Sequence, residues 1–144
     1  MYLSLVFIHV ISVILSVGPY FVLFPYIKKM KTAEQTQLLH HIDTFRYVVR
    51  LSKHAGHVLV ASGVLLVWMS SWQWDTPWIL ATTIILVSSL YFIARAFSPL
   101  LSALSEAKEE ERPPLLSKLN RALIAYIGLL FLMMWFMVVK PPLW

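Results

Sequence analysis

The stretch "RLSKHAGHVLVASG", residues Arg50–Gly63, carries two histidines one helical turn apart, His54 and His57, where a cationic segment gives way to Val, Leu and Ala. A third, His9, sits deep in an apolar run, flanked by Phe7, Ile8, Val10 and Ile11. Neutral imidazole ligates metals and haem iron, and helix-bundle cores are where such sites are built. An ionisable side chain at membrane depth is costly and marks a functional candidate. His54 and His57 share a helix face with Arg50 and Ala61, and Arg50 could clamp a propionate-like carboxylate bidentately. His54 is close enough to the polar flank to snorkel. For His57, about 4–5 Å deeper at the helical rise, snorkelling is harder. His40 and His41 fall in a more polar stretch and read as a solvated helix face.

Other chemistries find less support. The chain has no cysteine, which excludes disulfides, thiolate metal sites and cysteine nucleophiles. No acidic residue lies inside an apolar run and there is no Gly-rich phosphate loop. Zinc lacks a carboxylate or third close histidine to complete a site. The methionines of "LMMWFM" offer soft thioethers for haem or Cu(I), or serve as packing. The serines of the apolar runs read as helix-packing hydroxyls.

The elements that position these groups follow from composition. Of 144 residues, 59% are hydrophobic, and mean hydropathy is +0.73, more apolar surface than a soluble domain of this length can hide. Four stretches, roughly Tyr2–Ile27, Val48–Trp72, Trp78–Phe97 and Leu119–Val139, can each cross a hydrocarbon core of about 30 Å as a helix. The expectation is an all-α membrane protein, a four-transmembrane-helix bundle forming one domain over residues 1–144. The first stretch lacks a preceding basic segment and a small-residue cleavage site, so it reads as a retained helix and not a secretion signal.

Charge sets the expected orientation. Lys28, Lys29, Lys31, Arg46, Arg50 and Lys53 follow helix 1, and Arg95, Lys108, Arg112, Lys118 and Arg121 surround the connection between helices 3 and 4. The turn "SWQWDTPW" has Asp75 and no basic residue. The positive-inside rule then puts both connections in the cytoplasm and both termini outside, in a bacterial cytoplasmic membrane. Trp68, Trp72, Trp74, Trp78 and Trp144 form the outer aromatic belt. The net charge of +5 is thus a topology signal and requires no nucleic acid. "TAEQ" at Thr32–Gln35 fits a capping box, followed by Leu38, Ile42, Phe45 and Val49 at helical spacing. This predicts an amphipathic cytoplasmic extension before helix 2. "SEAKEEERPP" reads as a solvated loop.

Counting inward from the expected outer ends sets His9 level with Thr82, Thr83 and Met133 or Met134. The same count sets His57 level with Gly18, Tyr91 and Tyr126. Gly18 would leave a gap for a close crossing or a flat macrocycle, and Pro19 beside it would free a carbonyl and kink helix 1. His9 and His57 then differ by about 12 Å in depth, so the pairing of axial ligands stays open.

These residues resemble the HemJ and CopD group of four-helix-core membrane proteins. "FIHVISVILSVG" at Phe7–Gly18 is similar to the group's first helix, with a His about nine residues before a Gly. Arg50-Leu51-Ser52 and Ser62-Gly63 resemble the Arg-Phe-Ser and Thr-Gly or Ser-Gly of its second helix, and Asn120 and Lys140-Pro141 bracket its last. The resemblance implies haem b with His9 as axial ligand, and a role in electron transfer or haem-dependent oxidation. Its departures are Ser16 in place of a Trp, a missing "PRL" after helix 1, and a helix 3 without lysine. It therefore implies the haem more than the protoporphyrinogen oxidase activity. The CopD side implies copper handling through His9, His54, His57 and methionines. The remaining expectation is a structural or assembly subunit, as a homo-oligomer or within a larger membrane complex, with the bilayer as its constant partner.

Overall fold

A computed structural model describes residues 1–142, so Trp144 of the expected aromatic belt lies outside the described residues. Helix α1 spans Tyr2–Met30 and α2 spans Gln35–Met69. Helix α3, Pro77–Phe92, continues through a π-helical turn at Ile93–Phe97 into α4, Ser98–Glu106. A 3₁₀ turn at Glu109–Glu111 leads into α5, Arg112–Val139. Four helices, with α3 and α4 counted as one, are long and apolar enough to cross a membrane.

The helix boundaries have local causes. Pro77 and Pro113 sit in first turns, where the missing N–H costs nothing. Pro99 would press its ring on the Arg95 carbonyl four residues back, and the wider π turn just before it relieves that clash. Pro19 and Pro25 leave α1 continuous. Helix α2 runs for 35 residues, about 52 Å, because its first third is an amphipathic extension. There Leu38, Ile42 and Phe45 are fully buried, against a core that includes Leu101 and Leu104 of α4.

The expected capping box does not form. Glu34 is the N-cap residue of α2 and no side chain caps it. Gln35 instead accepts a hydrogen bond from Arg112 Nη2 and donates to the Ser105 carbonyl at 3.4 Å. The reason is tertiary: a buried guanidinium outcompetes a local cap for the amide oxygen. Arg112, expected in a solvated loop, is 5% exposed, and α5 begins there and not at Leu119.

The helices pack in the order α2, α1, α5, α3. Helix α2 meets the third span through α4 and the π turn, where the Phe45 and Phe97 rings lie 5.6 Å apart, centroid to centroid. The tightest seam joins α1 and α2. It is lined by Ser12 and Ser16 of α1 and by Ser52, Gly56 and Ser62 of α2, small residues that allow close backbone approach.

Candidate functional site

The α1–α2 seam fixes the depth of every candidate. His9 meets Ser62 and Gly63, and Ser16 lies 4.0 Å from where a Gly56 Cβ would stand. Helix α2 stops at Met69, three residues before the expected Trp72, so the register differs from the inward count. His57 falls near the level of Leu15, and Gly18 falls nearer that of His54. A Cβ on Gly18 would meet nothing within 4 Å, so Gly18 makes no close crossing. The structure does not bring Gly18 and His57 together.

His9 is half-buried at the N-terminal end of the stripe that α1 continues as Ser12, Ser16, Tyr20 and Leu23. Its Nδ1 is 2.9 Å from Ser62 Oγ, and Ser62 Oγ donates to the Leu59 carbonyl at 3.0 Å. A hydroxyl has one proton to give. Either Ser62 gives it to the Leu59 carbonyl and accepts from His9 Nδ1–H, or it gives it to Nδ1. In the first arrangement Nε2 carries the free lone pair. A ligating histidine whose other nitrogen is fixed by a hydrogen bond has this arrangement. Gly63 makes room for the ring, since a Cβ there would stand 3.3 Å from His9 Cε1.

Arg50, His54 and His57 are all exposed on the outward face of α2. The His54 and His57 rings are 6.3 Å apart, centroid to centroid. They share a face, as their spacing requires, but that face is turned away from the seam that holds His9.

The end of the molecule that holds the α2–α3 turn is pinned by Lys140, in left-handed conformation at φ 48° after α5. Its Nζ lies 5.3 Å from the Trp72 ring centroid and 5.2 Å from that of Trp78, cation–π distances that tie α5 to the α2–α3 turn.

Sequence reasoning missed a hydroxyl cluster to which each of the four spans contributes: Tyr20, Ser52, Ser89 and Tyr126, all buried. The Tyr20 and Tyr126 rings meet edge to face at 4.8 Å. The Tyr20 hydroxyl faces Ser52 and Tyr126, yet neither Tyr20 Oη nor Ser52 Oγ has a hydrogen-bond partner of good geometry. Ser52 belongs to the Arg50-Leu51-Ser52 motif, the one signal that could have drawn attention to it.

The donor set tests which group fits. Among the described residues no cluster of three His, Cys, Asp or Glu could hold a bare ion. A porphyrin brings its own equatorial nitrogens and requires from the protein an oriented imidazole. His9 meets that requirement.

The fold and site define an all-helical chain with four membrane-length helices and one imidazole held by a neighbouring hydroxyl. No family model, curated protein or solved structure matches it.

Proposed function

We propose that the chain is an integral membrane haem b protein, resembling the HemJ group, with His9 as axial iron ligand and electron transfer or haem-dependent oxidation as its use. The observation that carries this reading is the hydrogen bond between His9 Nδ1 and Ser62, which, with Nδ1 as donor, leaves Nε2 free to ligate. When bound, the haem would supply a one-electron couple within the apolar layer. The chain's residues do the positioning: Ser62 fixes the ring's tautomer and rotation, and Gly63 leaves space beside it. Lipid and the apolar neighbours Phe7, Ile8 and Val10 keep water away. The basic connections support an orientation with both termini outside a bacterial cytoplasmic membrane.

The test is an absorption spectrum of the detergent-purified chain before and after dithionite. A Soret band with a sharp reduced α band is expected, and His9→Ala should abolish or shift both. A colourless preparation overturns the haem reading, and retained copper in that preparation favours the copper alternative. A haem spectrum unchanged by His9→Ala overturns the ligand assignment.

A further inference from the structure

At the turn between α1 and α2 an open cleft of about 590 Å³ is lined by, among others, Lys29, Thr32, Ala33, Thr36, His40 and His41. The Tyr26 ring gathers two of its basic groups: Lys29 Nζ lies 5.8 Å from the ring centroid, and the His41 ring 5.3 Å, centroid to centroid. The His40 and His41 rings are 6.2 Å apart. Burial holds the His41 imidazole below its usual pKa, and the charges of His40 and Lys29 act in the same direction. No carboxylate lines the cleft. Glu34 is exposed and outside the lining, and Asp43 pairs with Arg46 at 3.8 Å. A further cation stands against the same turn, where Arg112 Nη1 donates to the Ala33 carbonyl at 2.9 Å. That guanidinium is buried without a carboxylate partner among the described residues, and its Nε has no hydrogen-bond partner. The start of α2 adds main-chain donors. No side chain caps it and its first turn holds no acidic residue, so the N–H groups of Gln35, Thr36 and Gln37 lack intrahelical partners. We infer that this cleft binds a phosphoryl group, carried by a soluble phosphate compound or by a lipid headgroup. Lys29 and the two imidazoles offset its charge, and Thr32, Thr36 and the first turn of α2 donate to its oxygens.

The donor set selects this chemistry. Ammonium, imidazole and hydroxyl groups converge on the cleft with no carboxylate to accept from them, so the occupant must bring acceptors and negative charge. The donors stand on α1, on the turn and on α2, and so approach from several directions. A planar carboxylate accepts in one plane, whereas a phosphoryl group offers three strong acceptor oxygens and more than one charge. A helix start without its own cap is suited to the same ligand. The buried Arg112 charge adds to the positive potential at the turn without touching the ligand. The inference rests on neither the haem nor the orientation of the chain in the membrane.

The test uses the full histidine-labelled chain in detergent, in phosphate-free buffer at constant ionic strength, observed by nitrogen-15 NMR. Inorganic phosphate should shift the His40 and His41 signals saturably and raise the pKa of His41, because the bound anion reverses the field of Lys29 and His40. Acetate should do neither. Lys29→Gln should weaken phosphate binding roughly tenfold or more, from the loss of one charge-assisted hydrogen bond. Lys28→Gln removes the same charge one residue away, outside the cleft, and should leave binding unchanged. Both lysines are exposed, so folding is not at stake. The same titration in phosphatidylcholine bicelles doped with phosphatidic acid separates the two sources. Phosphatidic acid that displaces free phosphate assigns the cleft to a lipid headgroup, and free phosphate that binds undisturbed assigns it to a soluble compound. Four results overturn the inference: no saturable shift with either phosphate or phosphatidic acid, an equal response to acetate, binding unaffected by Lys29→Gln, or an equal loss in Lys28→Gln.

Discussion

Arg112 donates from Nη1 to the Ala33 carbonyl at 2.9 Å, across 79 positions of chain, and so ties the start of α5 to the turn between α1 and α2. Its Nη2 reaches Gln35, and Gln35 reaches the Ser105 carbonyl, which draws in the end of α4. The guanidinium is 5% exposed and has no carboxylate partner among the described residues. Its hydrogen bonds are what compensate its burial. Here α4 bridges α2 and α5.

Arg112→Ala should therefore destabilise the chain by roughly 2–4 kcal/mol, since hydrogen bonds to charged groups are lost and the Ala33 carbonyl is left unpaired. Gln35→Ala, which removes one partner and leaves Ala33 paired, should cost less. Thermal unfolding in detergent, followed by tryptophan fluorescence, measures both. Equal midpoints for Arg112→Ala and the parent chain would remove this staple from the account of stability.

The two glycines of the resemblance should respond differently. At Gly63 a Cβ would stand 3.3 Å from His9 Cε1, so Gly63→Ala should push the ring by a few tenths of an ångström and weaken the bond to Ser62. At Gly18 nothing lies within 4 Å, so Gly18→Ala should be neutral or stabilise by up to about 1 kcal/mol through helix propensity. The chemical shift of the His9 ring in NMR spectra of selectively labelled protein, with the thermal midpoint, separates the two cases.

The four apolar runs and the amphipathic start of α2 were legible because hydrophobic periodicity is a local signal. His9 and Ser62-Gly63 could each be singled out, but their contact could not, because it depends on interhelical register. That register turned on where α2 ends, and "WMSSWQW" gives no sharp stop between Met69 and Trp72. The outward turn of Arg50, His54 and His57 was hidden for a similar reason: spacing shows which residues share a face, and only packing shows where that face points. Arg112 was misplaced because a cation beside "EEE" and two prolines looks solvated. Its partners are a carbonyl and an amide, which leave no charge pattern to read.

His41 lies before the apolar part of α2, on the extension. Burial holds its pKa below the usual imidazole value, with the neighbouring charges of His40 and Lys29 acting in the same direction. Its Nδ1 is buried without a partner. The unfolded chain therefore binds the proton more readily than the folded one, and stability rises with pH between the lowered folded value and the unfolded value near 6.5. The chain should be most stable above that window and lose this contribution as pH falls through it. Thermal midpoints measured across the window should fall toward acid, and His41→Asn should flatten the slope. An unchanged slope in the variant would assign the acid sensitivity to another group.

The haem reading has His9 Nδ1–H donating to Ser62, and removing that acceptor tests the tautomer. Ser62→Ala leaves Nδ1–H without a partner at a half-buried position, a loss of about 1–2 kcal/mol. The ring is then free to rotate or to move its proton to Nε2. Nitrogen-15 NMR of histidine-labelled chain distinguishes the two neutral tautomers, so the parent should show His9 protonated at Nδ1 and Ser62→Ala a mixture. Ser62→Thr keeps a hydroxyl that can bond both partners and should restore the parent pattern. If Ser62→Ala leaves the nitrogen shifts unchanged, Ser62 does not set the proton, and Nε2 loses the physical reason given for its free lone pair. If the shifts change and the chain binds no haem, the hydrogen bond stands as a packing feature of the α1–α2 seam.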